Sequence, residues 1–390
     1  MLGEQADWHT RLWFRDSASS FAGETDAVFY FIFYVSALFF VVLMWLMVYW
    51  AFKYRRKPGV AIQLSPSHNT PLEVVWTVIP TILLFVMFFW GFKGYLDKAV
   101  APADAEVIQV TATKWNWAWE YPGGGKLFES EKIVDKDMPV YALPMNRPVK
   151  FLMSSKDVIH SMFIPAFRMK RDVMPNRYTT QWVTSTGKPT HTMEESEPGK
   201  WRPIPLDDNG AKITDPELAK GRGYYLFCTE YCGDQHSQMM ARIITLNEQD
   251  YQRWLGVTKD TSSVPLVALG EQLTKGAGCR ACHSVDGSKG TGPSWKGIWG
   301  EKHQFTDGTE FVVDENYVRE SILEPAKHIR VGFTNQMPSF QGRFNDRELR
   351  AIITYLKSLN DQYKGDAQKD SDTEMDAKKK GAAATTPAAK

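Results

Sequence analysis

Two long apolar runs near the N-terminus constrain the fold of this chain most, because core helices rarely run so far without a charged residue. Ala27–Phe52 spans 26 residues and Val74–Phe92 spans 19, and neither run contains a charged side chain. As helices, both are long enough to cross about 30 Å of hydrocarbon. We therefore predict a transmembrane hairpin over residues 27–98, with helices at about 27–52 and 74–92.

The charges around these runs predict how the hairpin is oriented. The loop between them carries Lys53, Arg55, Arg56 and Lys57, with no acidic residue before Glu73. Short loops rich in lysine and arginine stay in the cytoplasm. Everything after about residue 93 is therefore predicted to be extracytoplasmic. So is segment 1–26, whose acidic residues are unlike the basic start of a signal peptide.

The stretch richest in reactive side chains is Cys228–Met239, which reads Cys-Thr-Glu-Tyr-Cys-Gly-Asp-Gln-His-Ser-Gln-Met. It offers two thiolates at Cys228 and Cys232, an imidazole at His236 and a thioether at Met239. Thiolate and thioether ligands select copper or iron–sulfur chemistry, and a weak methionine ligand beside cysteine and histidine is typical of copper electron-transfer sites. The spacing therefore predicts a copper site that transfers electrons and does not hydrolyse a substrate.

A second metal motif follows at Cys279-Arg-Ala-Cys282-His283. The pattern C-x-x-C-H is typical of covalent haem c attachment, in which the two thiols bind the haem and the histidine becomes an iron ligand. Together the two motifs use all four cysteines of the chain. The alternative is two disulfides in an exported protein, but disulfides do not require histidine or methionine at fixed offsets.

The region from residue 104 to 256 is predicted to form a β-domain. Its short runs are rich in valine, isoleucine, threonine and aromatic residues, and Gly, Pro and Asn turns separate them. This pattern favours an antiparallel sandwich or barrel, closed by a helix at Glu248–Leu255. The predicted strands are Glu106–Thr113, Pro148–Met153, Tyr178–Ser185, Gly223–Phe227 and Met240–Leu246.

One polar segment, 187–220, does not fit a compact sandwich. It is long, contains proline, and has an acidic cluster at Glu194, Glu195 and Glu197. His191 and Met193 are conceivable metal ligands, but we interpret the whole segment as a solvated insertion that is functional or disordered.

The C-terminal part divides into a linker, a domain and a tail. Residues 257–265 are a polar linker, and 266–360 form a small domain with helical patterns at both ends. Within it, Arg347–Leu359 has apolar residues at helical spacing. The tail, 361–390, has almost no large apolar residue and is predicted to be disordered. A net charge of +1 gives no reason to expect nucleic-acid binding.

These motifs, in this order, resemble subunit II of the haem–copper cytochrome c oxidases, in the caa-type variety with a C-terminally fused cytochrome c. The resemblance covers Ala27 to Asn360 and includes, besides the two metal motifs, the segments Pro71–Pro80, Trp115–Tyr121 and Asp157–Ser161. It implies a multidomain membrane protein: a two-helix transmembrane hairpin, a cupredoxin-like β-barrel with a two-copper centre (CuA), and an all-α class I cytochrome c domain.

The resemblance also implies roles for individual residues around the copper pair. Cys228 and Cys232 would bridge both coppers, while His160 and His236 would each cap one. Met239, favoured over Met240 by its spacing from His236, would be a weak ligand, and Glu230 would contribute its backbone carbonyl. The Glu230 carboxylate would also reach a magnesium ion shared with the catalytic subunit.

Two further residues match family positions. Trp115 would lie on the electron-entry side of the copper centre, whereas Trp117 and Trp119 are interpreted as sheet packing. Glu73 would stand at the mouth of a proton channel; the alternative is a carboxylate that interacts with the dipole at the helix start.

In the cytochrome domain, Cys279 and Cys282 would hold the haem and His283 would bind the iron. Met337, the only methionine between Ser263 and Asn360, would be the sixth ligand, with His303 and His328 as rivals. Methionine opposite histidine raises the haem potential. The segment Gly292–Gly297 resembles the haem-edge loop of class I cytochromes c.

The function implied is that of an electron-input subunit in a bacterial inner membrane. A cytochrome c or other donor would reduce the haem, the electrons would pass to the copper pair, and catalytic subunit I, together with subunit III, would belong to the complex that reduces oxygen to water. The short linker would keep haem and copper together at roughly millimolar effective concentration, so transfer should be fast and salt-tolerant. The alternatives are a membrane-anchored copper carrier, the electron-entry chain of a nitric-oxide or nitrous-oxide reductase, and a copper-free structural subunit.

Overall fold

The computed structural model describes residues 13–14, 16–60, 66–125, 129–133, 136–197, 200–259, 261 and 264–385. Several predictions fall partly outside these residues. They concern positions 1–12 and 15 of the N-terminal segment, 61–65 of the hairpin, 126–128, 134–135 and 198–199 of the β-domain, 260, 262 and 263 of the linker, and 386–390 of the tail.

The two apolar runs form helices α1 (Ala22–Lys53) and α2 (Thr70–Ala99), each longer than predicted. Both are long and apolar enough to cross a membrane. Their large side chains point outward, including Phe40 at 65% and Trp45 at 63% exposure. The core helices of a soluble protein would bury such residues, so these helices suit a lipid environment. Asn69 caps the N-terminus of α2, because its side chain accepts a hydrogen bond from the Leu72 amide.

The helices extend beyond the apolar runs because the polar residues at their ends have partners in the β-domain. The Arg168 guanidinium donates to the Asp26 carboxylate from Nε at 2.6 Å and from a terminal nitrogen at 2.8 Å. The Trp182 indole donates to the Asp97 carbonyl at 3.0 Å. These contacts fix the β-domain on the outer end of the hairpin.

The β-domain consists of two sheets packed on one core. The strands are β1 (Glu106–Thr113), β2 (Asn116–Glu120), β3 (Glu129–Ile133), β4 (Lys136–Pro144), β5 (Pro148–Ser155), β6 (His160–Ile164), β7 (Met169–Val173), β8 (Thr179–Thr184), β11 (Tyr224–Cys228) and β12 (Met240–Leu246). One sheet has the strand order β2-β1-β5-β8, and the other has the order β3-β4-β12-β11-β6-β7.

The sequence predicts an antiparallel domain, but two of the strand pairs are parallel. Strand β1 pairs in parallel with β5, and β4 pairs in parallel with β12. In each pair the chain crosses to the other sheet before it returns, so the two strands run in the same direction. A cupredoxin-like β-domain follows the hairpin, as the resemblance implied.

Aromatic residues fill the core between the sheets. Trp117 and Trp119 are buried, and the Trp119 ring stacks on Tyr141 with 4.6 Å between ring centroids. Both side chains therefore contribute to the packing between the sheets. Helix α4 (Glu248–Lys259) covers one end with Tyr251 and Trp254. Because large aromatic side chains bury much apolar surface, they make this core rigid.

The predicted solvated insertion is partly ordered. It contains the hairpin β9 (His191–Glu197) and β10 (Lys200–Pro205) and a short helix α3 (Pro216–Ala219). His191 and Met193 are buried, and Arg253 of α4 lies 4.3 Å from the Trp201 ring. The hairpin therefore covers α4 with its few apolar residues, while its acidic residues face outward.

The C-terminal domain is built on two crossing helices, α5 (Leu266–Gly276) and α8 (Asp346–Ser358), with α6 (Cys279–Cys282) and α7 (Glu315–Leu323) beside them. The crossing is close because Gly270 lacks a side chain: a Cβ atom there would lie 2.0 Å from the Ala351 carbonyl oxygen. A short hairpin, β13 (Lys302–Gln304) and β14 (Glu310–Val312), is added to the predicted all-α fold.

The tail also differs from its predicted disorder, because residues Lys364–Thr385 form helix α9. Among residues 364–377, whose burial is described, the buried ones are the small Ala367 and Ser371. The Arg347 guanidinium and the Glu374 carboxylate, with Nε 2.8 Å from Oε1, hold the helix against α8. Small buried residues and ion pairs leave no hydrophobic pattern in the sequence, so the helix could not be predicted from apolar periodicity.

Candidate metal centre and haem pocket

The predicted copper ligands meet at one end of the six-stranded sheet. Cys228 ends β11, and the following loop carries Cys232 and His236 before β12 begins at Met240. His160 comes from a distant part of the sequence, but it starts β6, which pairs with β11 at Met162 and Cys228. Strand pairing therefore brings this imidazole to the thiol loop.

The donor atoms lie close together. Cys228 Sγ and Cys232 Sγ are 3.8 Å apart, His236 Nδ1 is 3.4 Å from Cys232 Sγ, and His160 Nδ1 is 3.9 Å from Cys228 Sγ. Met239 Sδ lies 3.9 Å from Cys232 Sγ, and the Glu230 carbonyl oxygen lies 3.2 Å from Cys228 Sγ. Each of the six predicted donors thus lies within 4 Å of a cysteine sulfur, and the ligand atoms of His160, Cys228 and Cys232 all lie within 4.8 Å of one another, as residues that could hold a metal would.

None of the four cysteines, all within the described part of the chain, forms a disulfide. The 3.8 Å between Cys228 Sγ and Cys232 Sγ also exceeds a disulfide bond of about 2.05 Å. Contact with the Cys232 thiol lowers the pKa of Cys228, and the same contact raises the pKa of Cys232. The pair therefore ionises one thiol readily, and soft donors of this kind fit copper.

His160 is held in position by Asp157, whose role the sequence did not reveal. The buried imidazole donates from Nε2 to Asp157 Oδ1 at 2.9 Å, so Nδ1 presents its lone pair to the thiol loop. Burial opposes ionisation of Asp157, but hydrogen bonds from His160, the Lys114 amide and the Val158 amide outweigh it and lower its pKa. The sequence signal that could have indicated this role is a carboxylate three residues before the histidine.

Trp115 lies against the same loop. Its indole donates to the Cys232 carbonyl at 3.1 Å, and its ring would be 3.2 Å from a Cβ atom at Gly233. Only 5% of Trp115 is exposed. The predicted electron-entry residue is therefore adjacent to the copper ligands but is not itself on the open surface.

The haem motif lines a cleft with an empty volume of ≈ 860 Å³. Cys279, Cys282, His283 and Met337 all border it. His283 Nδ1 lies 2.8 Å from the Pro293 carbonyl, which can only accept, so Nδ1 carries the proton and Nε2 is available to iron. Burial lowers the pKa of His283, which keeps the imidazole in the neutral form that binds metal. The residues present therefore fit a covalently bound haem.

The rival iron ligands are less suitable than Met337. His303 lies outside the residues that line the cleft and contacts Glu301 at 3.3 Å. His328 borders the cleft, but its two ring nitrogens lie 2.6 Å from Asp307 and 3.3 Å from Glu320. These contacts leave the Met337 thioether as the sixth ligand most consistent with the pocket.

Glu73, the remaining predicted residue, lies away from these two sites. Glu73 is in the first turn of α2, where its carboxylate accepts a hydrogen bond from the Asn69 amide at 3.0 Å. This contact is that of a helix-capping carboxylate. Glu230 and Tyr231 are exposed on the outer side of the copper loop.

Comparison with known proteins agrees with this architecture. Residues 7–93 match the transmembrane domain of cytochrome c oxidase subunit II, 106–197 match its periplasmic domain, and 267–360 match cytochrome c. The periplasmic match includes His160 and ends before the Cys228–Met239 loop.

Individual relatives of this chain are named as cytochrome c oxidase subunit 2. Cytochrome c oxidase subunit 2 of Alkalihalophilus pseudofirmus is 28% identical over 336 residues, covering 83% of this chain and 82% of the relative. Cytochrome c oxidase subunit 2 of Bacillus subtilis is 26% identical over 314 residues, covering 76% of each. The crystal structure of the periplasmic domain of subunit II of cytochrome oxidase from Bradyrhizobium japonicum is 23% identical and covers 41% of this chain and 97% of that chain, with a TM-score of 0.30.

The hairpin, the β-domain and the haem cleft therefore follow one another in the same order as the three family matches along the sequence. The chain belongs to the cytochrome c oxidase subunit II family, as a membrane-anchored component of an oxidoreductase complex with a C-terminal cytochrome c domain.

Proposed function

We propose that this chain passes electrons from a cytochrome c donor through a covalently bound haem c and a two-copper centre to an oxygen-reducing catalytic subunit. The observation that carries the proposal is the convergence of six copper-type donors, from two distant segments, on one loop beside the Cys279–His283 cleft. When bound, the copper pair and the haem would supply one-electron transfer.

The chain's own residues suit that task because they are buried and held in position. Cys228, Cys232, His160, His236, Met239 and the Glu230 carbonyl would hold the copper ions. Asp157 fixes the His160 ring, and the Trp115 and Trp117 indoles donate to the carbonyls of Cys232 and Met239. A rigid ligand set changes little between redox states, and such outer contacts also set the potential.

In the cytochrome domain, Cys279 and Cys282 would hold the haem covalently, and His283 and Met337 would bind its iron. Trp295 stacks on His283 with 4.8 Å between ring centroids, so the ring cannot turn freely. Histidine and methionine ligands would suit the haem to electron transfer.

The electron output is proposed to leave through the exposed side of the copper loop. Tyr231 is 75% exposed, and the Glu230 carboxylate beside it is a candidate ligand for a magnesium ion shared with the catalytic subunit. Trp115 would then serve the input side. Glu73 is proposed at a proton-channel mouth only by position, since its observed contact is a helix cap.

The proposed location is a bacterial inner membrane, with both metal domains on the periplasmic side. The family match to a transmembrane and a periplasmic domain supports this arrangement, and so does the cationic loop at Lys53–Lys57. Catalytic subunit I and a subunit III are the proposed partners within the membrane.

The relay can be tested by one-electron reduction of the intact, copper- and haem-loaded complex. We expect the absorbance of the reduced haem to rise when the donor is mixed in. It should then decay as the absorbance of the oxidised copper bleaches, and the decay and the bleaching should have the same rate constant. In Cys232→Ser, which removes one bridging thiolate, the haem should stay reduced. A single, exchangeable copper that never accepts the haem's electron would favour a copper carrier instead.

A further inference from the structure

Side-chain hydrogen bonds from Gln235 and Asn116 join the copper domain to the cytochrome domain. The Gln235 amide donates to the Ala281 carbonyl at 2.9 Å and lies 3.3 Å from Thr291 Oγ1. The Asn116 amide donates to the Gly276 carbonyl at 2.8 Å. Gln235 directly precedes the copper-type ligand His236, and Ala281 directly precedes the haem-type Cys282. The Gln235–Ala281 contact therefore lies one residue from a predicted ligand on each side of the interface.

The facing surfaces of the two domains pack as closely as residues in a protein interior do. Gly278 has φ +79°, and a Cβ atom there would lie 2.3 Å from Asn116 Cβ, so only glycine allows this approach. Cys282 packs against the core of the copper domain. Nearby, Arg343 of the cytochrome domain and Glu120 of β2 line one small cavity, which places opposite charges across the interface.

The copper domain also completes the haem cleft. Thr113 and Lys114 line the cleft together with Cys282 and His283. The Lys114 amide in turn donates to Asp157 at 2.7 Å, and Asp157 accepts from His160. A change in the docking of the two domains would therefore alter both the haem wall and the support of a copper ligand.

The docked domain faces the side of the loop where direct electron entry to copper would occur. Trp115 is 5% exposed and lines a cleft whose other wall includes Ala281 and His283 of the cytochrome domain. Glu230 and Tyr231 of the same loop remain exposed. A soluble protein donor cannot reach Trp115 while the cytochrome domain is in this position.

We propose that Asn116, Gln235 and Gly278 hold the cytochrome domain permanently on the copper loop, and that this closes the Trp115 face to soluble donors. This inference rests on the proposed relay. A one-electron protein donor docks on the cytochrome domain and is oxidised there. The same electron crosses the Gln235–Ala281 contact to the copper domain, and no proton or further reactant is needed.

The test compares the double variant Asn116→Ala/Gln235→Ala with Gln238→Ala in the intact, loaded complex. Gln238 borders the same interdomain cleft, but within the described residues its side-chain amide makes no hydrogen bond, so it is a matched control. We expect transfer from haem to copper after a one-electron flash to be independent of solvent viscosity and salt in the wild type and the control. In the double variant it should fall about tenfold and become slower with added glycerol.

A second readout does not depend on electron transfer. Hydrogen–deuterium exchange of the β2 and α6 amides should rise about tenfold in the double variant and stay at the wild-type level in Gln238→Ala. The copper paramagnetic resonance spectrum of each variant reports whether the metal site is intact.

Two results would overturn the docking proposal: wild-type transfer that slows with viscosity, or a double variant indistinguishable from the wild type in both rate and exchange. In either case the relay itself would stand, provided the copper is reduced. If copper in the wild type never receives the electron, the relay has failed instead.

Discussion

At the scale of single residues, the histidines His160 and His283 are each oriented by a neighbour that accepts the proton of the other ring nitrogen. Asp157 does this for His160, and the Pro293 carbonyl does it for His283. Such acceptors fix the tautomer and raise the basicity of the nitrogen that faces the metal. They are therefore as much a part of the proposed sites as the ligands are.

The role of Asp157 can be measured with Asp157→Asn. An amide can still meet the His160 ring but supplies no negative charge, so we expect copper affinity to fall by about tenfold to hundredfold. Competition with a copper chelator measures the affinity. Asp172→Asn is the control, because Asp172 accepts from Ser161, the residue beside His160, without contacting the ring. Equal losses in both variants would contradict the account.

The haem pocket offers a steric test at Gly292. A Cβ atom there would lie 2.7 Å from His283 Cε1, so Gly292→Ala should displace the imidazole and reduce the low-spin haem fraction in the absorption spectrum. Gly256→Ala, where a Cβ atom meets nothing within 4 Å, should leave the spectrum unchanged. An unaltered low-spin spectrum in Gly292→Ala would show that His283 does not bind iron in this orientation.

The buried His191 predicts a pH effect on stability. Burial, followed by the charges of Arg222 and Arg242, lowers its pKa to about 3 from 6.5. Below pH 6.5 the unfolded chain binds a proton that the folded chain does not, so stability falls as the pH falls towards 3. The cost reaches about 2 kcal/mol at pH 5.

His191→Gln should therefore lose less thermal stability between pH 7.5 and 5 than the wild type does. The exposed His68 offers the comparison, since His68→Gln should keep the wild-type loss. The thermal unfolding midpoints at the two pH values measure this difference. An identical loss in His191→Gln would mean that other groups cause the acid sensitivity.

At the scale of elements, the sequence predicts structure wherever apolar residues follow a clear period. Helix α8 and the strands β1, β5 and β12 were found this way, and so were the cores of α1 and α2. The hairpin β9–β10 and the tail helix α9 were not found. Both are polar elements that pack through a few small or aromatic residues, so their order depends on tertiary partners that no local pattern reveals.

The tail helix supplies an element-scale prediction. The half-buried Glu374 carboxylate pairs with Arg347, whose guanidinium also donates to the Thr261 and Val264 carbonyls. Glu374→Gln should lower the stability of the cytochrome domain by about 1 kcal/mol, because a charge-assisted hydrogen bond is lost. Thermal unfolding followed by haem absorbance measures this loss.

Asp372→Asn is the matched substitution on the exposed side of the same helix. Its carboxylate accepts only from Gln368 within the described contacts, so its loss should have little effect. If both variants unfold at the wild-type temperature, α9 does not contribute to the stability of the domain.

At the scale of the whole molecule, the predicted copper ligands illustrate what sequence can and cannot supply. The Cys228–Met239 donors are contiguous, so local spacing is enough to propose a metal. His160 lies 68 residues before Cys228, and only the resemblance to a known family identified it. The docking of the cytochrome domain on the copper loop could not be predicted, because it depends on two amide side chains and the close approach of one glycine.

This docking gives the proposed relay a direction across the molecule. Haem-type ligands lie on one side of the copper loop, and an exposed surface with Glu230 and Tyr231 lies on the other. Electrons would enter from the covered side and leave from the exposed side, above a hairpin that fixes the β-domain through Arg168 and Asp26.

The most direct test of the account is the electron paramagnetic resonance spectrum of the intact, air-oxidised protein loaded with copper and haem. The account predicts a multi-line copper signal from one unpaired electron shared equally by two coppers, together with a low-spin haem signal. An ordinary single-copper signal, or no copper signal, would contradict it, because two thiolates 3.8 Å apart would then not be bridging a copper pair.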